Sequence, residues 1–389
     1  MLSDEVAMKK DAVSERHPQL YFSNGDIVLA AKFSSPTSTA SSPPQYQLYR
    51  VYKPSLSHHS PVFANLFGDA APGELYDDVP LGELADVRLQ FSVSLDTESI
   101  VILTHYFDRD TDIRRWDPET PIAVSPTIRI ADKYLIDGLH KYLVQKVQDD
   151  WPLTLEDWDR REAEIEVMRY AEYISGARPS SSKPLAQAVP EPASAIRFAL
   201  EFGCPAILPA AFYQLSRTDV TDDWTDPVSY SSNWTLPARW SLLEGPDLLR
   251  YLRGGKKLLQ YVASVPRDVT FTAVLCEALL PWWEDAAIPE DVRWEIDNGR
   301  DAEEYPCYAL LVRIFAAVFR ETTPGVRDPL KALKECVDYE KIPEIARGSS
   351  STKRLCSGCD WAFREWVPQA RQKLWRKLPE YFGLPLPSP

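Results

Sequence analysis

With 389 residues, 44 % of them hydrophobic, the chain is long enough for two domains and apolar enough to fill two cores, which excludes global disorder. Its 57 acidic against 43 basic side chains leave a formal charge of −14, which repels a phosphate backbone and argues against a nucleic-acid partner. No segment approaches the roughly 18 consecutive apolar residues of a membrane span, the N-terminus lacks a signal-peptide pattern, and six scattered cysteines are too sparse for a secreted disulfide scaffold. The expectation is a protein of the cytoplasm or nucleus without membrane attachment.

In chain order, residues 1–17 read as a flexible tail. The run DIVLAAKF then alternates Ile27, Leu29, Ala31 and Phe33 with Val28, Ala30 and Lys32, as a half-buried strand requires. After SSPTSTASSPPQ a second strand follows in QYQLYRVY. Loop closure costs only slowly more with length, so the pair still reads as an antiparallel hairpin. KPSLSHH supplies one or two helical turns, and His58 and His59 suit the negative end of that short helix. Ser60-Pro61 reads as the cap and first residue of another helix, with Val62, Phe63, Leu66 and Phe67 on one face. VRLQFSVS, with Val87, Leu89, Phe91 and Val93 on one side, predicts a third strand, and DTESIVILTHYFD a helix. SPTIRIADKYLIDGLHKYLVQKVQDDW predicts two more helices: Ile128, Ala131 and Tyr134 or Leu135 face inward on the first, Leu139, Leu143 and Val147 on the second, with Asp137-Gly138 as the turn.

From Trp151 onward strand signals nearly vanish. Prolines, 33 in all, punctuate the periodic segments, and SGARPSSSKPLAQAVPEP and TDVTDDWTDPVSYSSNWTLP are too poor in apolar residues to order themselves. Asn233-Trp234-Thr235 matches a glycosylation sequon, which means nothing without export. Helices are expected over EPASAIRFALEFG and CPAILPAAFYQLSR, broken at Gly203 and Pro205, and over GPDLLRYLRGGKKLLQYVASV, TFTAVLCEALLPWW, PCYALLVRIFAAVF and DPLKALKECVDY. The last, beginning WAFREWVPQ, carries the stripe Phe363, Val367, Ala370, Leu374 and Leu378 and is stopped at Gly383. The fold class is α+β: a three-stranded α/β domain over 18–151, a helix and Pro/Ser-rich linker over 152–190, an all-helical domain over 191–384, and a tail over 385–389.

The ordered set Asp26-Ile27-Val28-Leu29, Tyr49-Arg50-Val51-Tyr52-Lys53, Leu56, Ser60 to Phe67, and Ala131 to Leu139 resembles the signature of the BTB/POZ domain, over about the first third of the chain. Two departures stand out: Tyr52 replaces the family's usual histidine, and the insertion over 34–45 lengthens the first hairpin. The C-terminal half resembles that of BTB proteins common in mushroom-forming fungi. The resemblance implies protein–protein association, with Asp26 and Lys53 as a charged pair near a dimer interface, against an ordinary capping aspartate and a solvated lysine, and Tyr52, Ser60, Phe63 and Phe67 as interface candidates, of which Phe63 and Phe67 read first as core residues. The expected partners are a second copy of the chain and other proteins. One concrete version is a substrate adaptor that grips a cullin-type ubiquitin-ligase scaffold. The alternatives are a transcription-associated BTB regulator, which should carry a basic DNA-reading face, and an enzyme with a site in the helical domain.

Residue chemistry gives the enzyme reading little support. All five histidines (His17, His58, His59, His105 and His140) lie in the first part, leaving the helical half no imidazole base, and no phosphate loop, nucleophile elbow or HExxH is present. No catalytic residue or cofactor is expected. Asp108, Asp110, Asp112 and Glu119 have calcium-loop spacing, but Ile113 stands where the turn needs glycine and Arg109, Arg114 and Arg115 oppose a cation. Cys356-x-x-Cys359 is the sharpest metal-like feature; a four-thiolate zinc set would draw on Cys336 and Cys307, while the default reading is buried small thiols and no metal.

Overall fold

A computed structural model describes residues 13–33, 45–68, 75–83, 113–174, 184–226, 236–265, 306–319, 328–347 and 354–385. The fold is α+β, a mixed sheet near the N-terminus followed by helices, and divides into two compact units, Met1–Asp150 and Trp151–Pro389. Among the described residues no helix is long and apolar enough to cross a membrane.

In the first unit, strands β1 (Val13–Tyr21), β2 (Ile27–Phe33), β3 (Gln45–Val51), β4 (Leu75–Tyr76) and β5 (Val79–Glu83) form one sheet in the order β1-β3-β2-β5-β4. The expected hairpin is present: β2 and β3 are antiparallel, from Ile27 opposite Val51 to Phe33 opposite Gln45. β2 lies inside the sheet, between β3 and β5, and side chains on both of its faces are buried. Ile27, Val28, Leu29 and Ala30 are all buried, where a half-buried alternation was expected.

The sheet also exceeds the three expected strands. Residues 13–17, read as tail, belong to β1, which runs parallel to β3. The proline amide cannot join a ladder, and the register slips between Arg16 and Tyr21 around His17-Pro18. There the Leu20 N–H donates to His17 Nδ1 at 3.0 Å, and the ring stacks on Tyr49 at 5.2 Å. Burial lowers the affinity of this imidazole for a proton, consistent with its role as acceptor. The β4–β5 hairpin turns through Asp77 and Asp78, both left-handed, which suits a two-residue turn. Asp77 is held by the Arg16 guanidinium at 2.6 Å and the Tyr21 hydroxyl at 2.7 Å. The strand expected around Val87, the helix over DTESIVILTHYFD, and Asp108, Asp110 and Asp112 lie outside the described residues.

Four helices complete the described part of this unit: α1 (Lys53–His59), α2 (Pro61–Gly68), α3 (Thr120–Lys133) and α4 (Asp137–Asp149). Helix α3 starts earlier than its sequence signal at Ser125-Pro126, with Pro121 in the first turn where a missing amide is harmless. Pro126 is tolerated inside it, and the Ser125 hydroxyl donates to the Pro121 carbonyl at 2.6 Å. The reversal between α3 and α4 is made by Leu135 at φ 52°, so Asp137 and Gly138 open α4 instead of forming the turn.

The second unit contains α5 (Leu155–Ile174), α6 (Pro192–Glu201), α7 (Leu208–Arg217), α8 (Gly245–Ser264), α9 (Pro306–Val318), α10 (Pro329–Cys336), α11 (Pro343–Ala346) and α12 (Ser357–Tyr381). The helix expected over TFTAVLCEALLPWW lies outside the described residues. Part of the expected linker is packed: Leu185, Ala186 and Val189 are buried, and Glu191 caps α6. Its carboxylate accepts from the amides of Ala193 at 2.8 Å, Ser194 at 2.7 Å and Arg239 at 3.0 Å, which satisfies helix-end donors and ties down a distant segment. The predicted stripe of α12, from Phe363 to Leu378, is buried throughout. The helix ends at Phe382, and left-handed Gly383 lets the Leu384 N–H return to the Pro379 carbonyl at 2.8 Å.

A buried polar network joins four of these helices. Arg217 pairs with Glu162 at 2.6 Å and Asp328 at 2.9 Å, and Asp328 also accepts from the Tyr213 hydroxyl at 2.8 Å. Arg371 forks onto Asp159 at 2.9 and 2.6 Å and donates to the Leu330 carbonyl at 2.9 Å. Burial raises the Glu162 carboxyl, but the adjacent Arg217 outweighs it and holds the group below its ordinary range.

Helix α8 contains a paired test of packing. A Cβ on Gly254 would lie 1.9 Å from the buried Phe382 ring, which itself stacks on Phe212 at 5.4 Å, whereas a Cβ on Gly255 would meet nothing within 4 Å. Chemical denaturation should show Gly254→Ala destabilising by about 1–3 kcal/mol and Gly255→Ala stabilising by about 0.5–1 kcal/mol. Equal effects from the two would contradict this packing.

Candidate functional site

The interface candidates fall where β3 runs into α1 and α2. Asp26 accepts from the Lys53 backbone N–H at 2.6 Å, so its carboxylate satisfies a donor at the start of α1. The Lys53 ammonium lies 5.9 Å from the centroid of the Phe67 ring, which sets the start of α1 beside the end of α2. Asp26 and Lys53 are thus joined through the main chain. Tyr52 stacks on Phe22 at 5.5 Å, donates its hydroxyl to Asn24 Oδ1 at 2.6 Å, and remains 37 % exposed.

Ser60 and Phe63 play a different part. The Ser60 hydroxyl accepts from the Phe63 N–H at 3.1 Å, capping α2, and donates to the Tyr134 carbonyl at the end of α3. Phe63, 2 % exposed, stacks almost parallel on Tyr134, with centroids 4.6 Å apart, and on Phe67 at 5.7 Å. Both residues therefore belong to the interior, and only Phe67 of the two aromatics reaches the surface. At the end of α1, His58 and His59 meet edge-on at 4.8 Å; burial and then the neighbouring His58 lower the proton affinity of His59.

Two surface leucines were not among the interface candidates. Leu66 shares one face of α2 with Phe63 by the helical period but is 49 % exposed, and Leu135, 53 % exposed, projects from the left-handed turn directly after Tyr134. The helical period cannot separate them from core positions, because α2 is only two turns long and the backbone of Leu135 leaves the helix. A bulky residue at positive φ is costly, and such positions concentrate at functional surfaces. Lys53 thus lies against Phe67, and Tyr52, Leu66 and Leu135 are exposed, while Ser60 and Phe63 make inner contacts.

In the second unit the acids Asp159, Glu162 and Asp328 are each engaged by an arginine. That arrangement ties helices of this unit together. Three cysteines, Cys307, Cys356 and Cys359, come together in this unit. Neither a protein-family model, nor a curated protein, nor a solved structure matches the chain.

The division between inner and outer residues is measurable. Phe63→Ala should cost about 3–5 kcal/mol of stability and Ser60→Ala about 1 kcal/mol. Leu66→Ala and Leu135→Ala should stay within about 0.5 kcal/mol of the parent. Denaturant midpoints at constant slope check this; a large loss for Leu66→Ala would place that leucine in the core.

Proposed function

We propose that the chain is a protein–protein interaction protein whose first unit associates with another polypeptide, and first of all with a second copy of itself, through the surface bearing Tyr52, Lys53, Leu66 and Phe67. The observation that supports this most is the exposure of Leu66: it is 49 % exposed although it lies one turn along α2 from the buried Phe63, which stacks on Tyr134. Burying this leucine against a partner would return apolar area to a dry environment at roughly 25 cal/mol per Å² before the costs of association. A self-complementary patch on a two-fold axis does so for both copies at once.

The resemblance to BTB/POZ domains supports the same reading, since the hairpin, the two short helices and the α3–α4 pair follow in that family's order. On that reading the protein works in the cytoplasm or nucleus as an adaptor, the first unit gripping a scaffold such as a cullin while the helical unit presents a surface to a client. Nucleic acid and membrane have no place in the scheme, given the net charge of −14.

Sedimentation velocity of the full chain at tens of micromolar checks the proposal. The expected result is a dimer for the parent chain and a monomer for Leu66→Asp at unchanged thermal stability. A parent chain that stays monomeric, or a Leu66→Asp dimer indistinguishable from it, would overturn the assignment.

A further inference from the structure

We propose that Cys307, Cys356 and Cys359 form a binding site for one zinc ion, held by three thiolates with the fourth coordination position left to an exogenous ligand such as water. The three sulfur atoms all lie within 4.8 Å of one another, although Cys307 sits at the start of α9 and the other two at the start of α12. With Zn–S bonds of about 2.3 Å, tetrahedral geometry sets sulfurs about 3.8 Å apart, so small side-chain rotations close the site.

The surroundings favour the charged form of the ligands. Cys356 is the cap residue of α12 and Cys359 lies in its first turn, where the positive end of a 25-residue helix stabilises thiolates. The Cys356 N–H donates to Cys307 Sγ at 3.3 Å, and a thiolate is the stronger acceptor for such a bond. The nearest acid in the chain, Asp360, is occupied by Arg364 at 2.7 Å and by the Tyr339 hydroxyl at 3.2 Å. Three thiolates around a divalent cation leave a net charge of −1, which the helix end can offset.

Access and ligand count follow from burial. Cys307 and Cys359 are buried with Leu355 and Phe363, while Cys356 is half-buried and gives the ion an entry path and a solvent side. Cys336, the fourth thiol of the set weighed from sequence, does not join the convergent group. Burial, and then Glu335, push its pKa up to about 12, so it stays a protonated core residue. The CxxC spacing alone supplied two ligands, and the fold supplies the third.

The test uses full-length protein, kept reduced and stripped of metal by a chelator, then titrated with Co²⁺ as the spectroscopic probe and back-titrated with Zn²⁺. The expected result is one equivalent of cobalt with thiolate charge-transfer and tetrahedral d–d bands, displaced by one equivalent of zinc, and a higher melting temperature with zinc than without. Cys356→Ser should abolish the bands without loss of helical circular dichroism, because serine is itself a preferred cap residue. Cys336→Ala should keep the full stoichiometry. Absence of thiolate–cobalt bands in the reduced parent, their persistence in Cys356→Ser, or their loss from a folded Cys336→Ala would overturn the assignment.

Discussion

The hydrogen bond from the buried Ser60 hydroxyl to the Tyr134 carbonyl is the constraint around which the first unit is organised. Tyr134 ends α3, and its carbonyl is among the helix-end acceptors that lack an intrahelical partner. Ser60 supplies that partner while capping α2, so one side chain satisfies the ends of two helices. The near-parallel stack of Phe63 on Tyr134 then excludes water from the bond, which raises the cost of breaking it. Along the same helix, one turn on from Phe63, Leu66 remains exposed.

The second unit reaches order by different means. It has no sheet among its described residues, and its helices are linked by aromatic packing and by arginines that span elements remote in sequence. Trp158 stands between Tyr213 at 5.1 Å and Trp375 at 5.7 Å, with the Arg217 guanidinium 5.3 Å from its ring centroid. Arginine suits this duty because its planar fork satisfies two carboxylates and still stacks on a ring. The same pairings that bind the helices together occupy Asp159, Glu162 and Asp328.

Much of this architecture is legible in the sequence where a single period governs it. The stripe of α12 from Phe363 to Leu378, the stop at Gly383 and the β2–β3 hairpin all follow from repeat patterns and backbone preference. What escaped depends on tertiary context. β1 contains His17-Pro18, which reads as a break until the Leu20 amide is seen to close on the imidazole. The β4–β5 hairpin turns on Asp77-Asp78, a weaker signal than Asn-Gly, and Asp77 is secured by Arg16 and Tyr21 from another strand. The packed half of the expected linker depends on Glu191, whose carboxylate finds an amide at Arg239 that no local pattern announces. At the candidate site the capping role of Ser60 and the inward direction of Phe63 were legible, from the Ser-Pro step and the aromatic face of α2. Leu135 was hidden because its position on the helical period is inward while its left-handed backbone turns it out.

The central claim is that the α1–α2 surface is where a second polypeptide settles. Amide hydrogen–deuterium exchange of the full chain over a series of concentrations tests it directly, since burial at an interface slows exchange only where the partner sits. The account predicts that amides of residues 62–68 in α2, along with those around Tyr52, Lys53 and Leu135, become protected as concentration rises, while the rest of the first unit is unchanged. Identical exchange in this segment at every concentration, or protection confined to another surface, would contradict it.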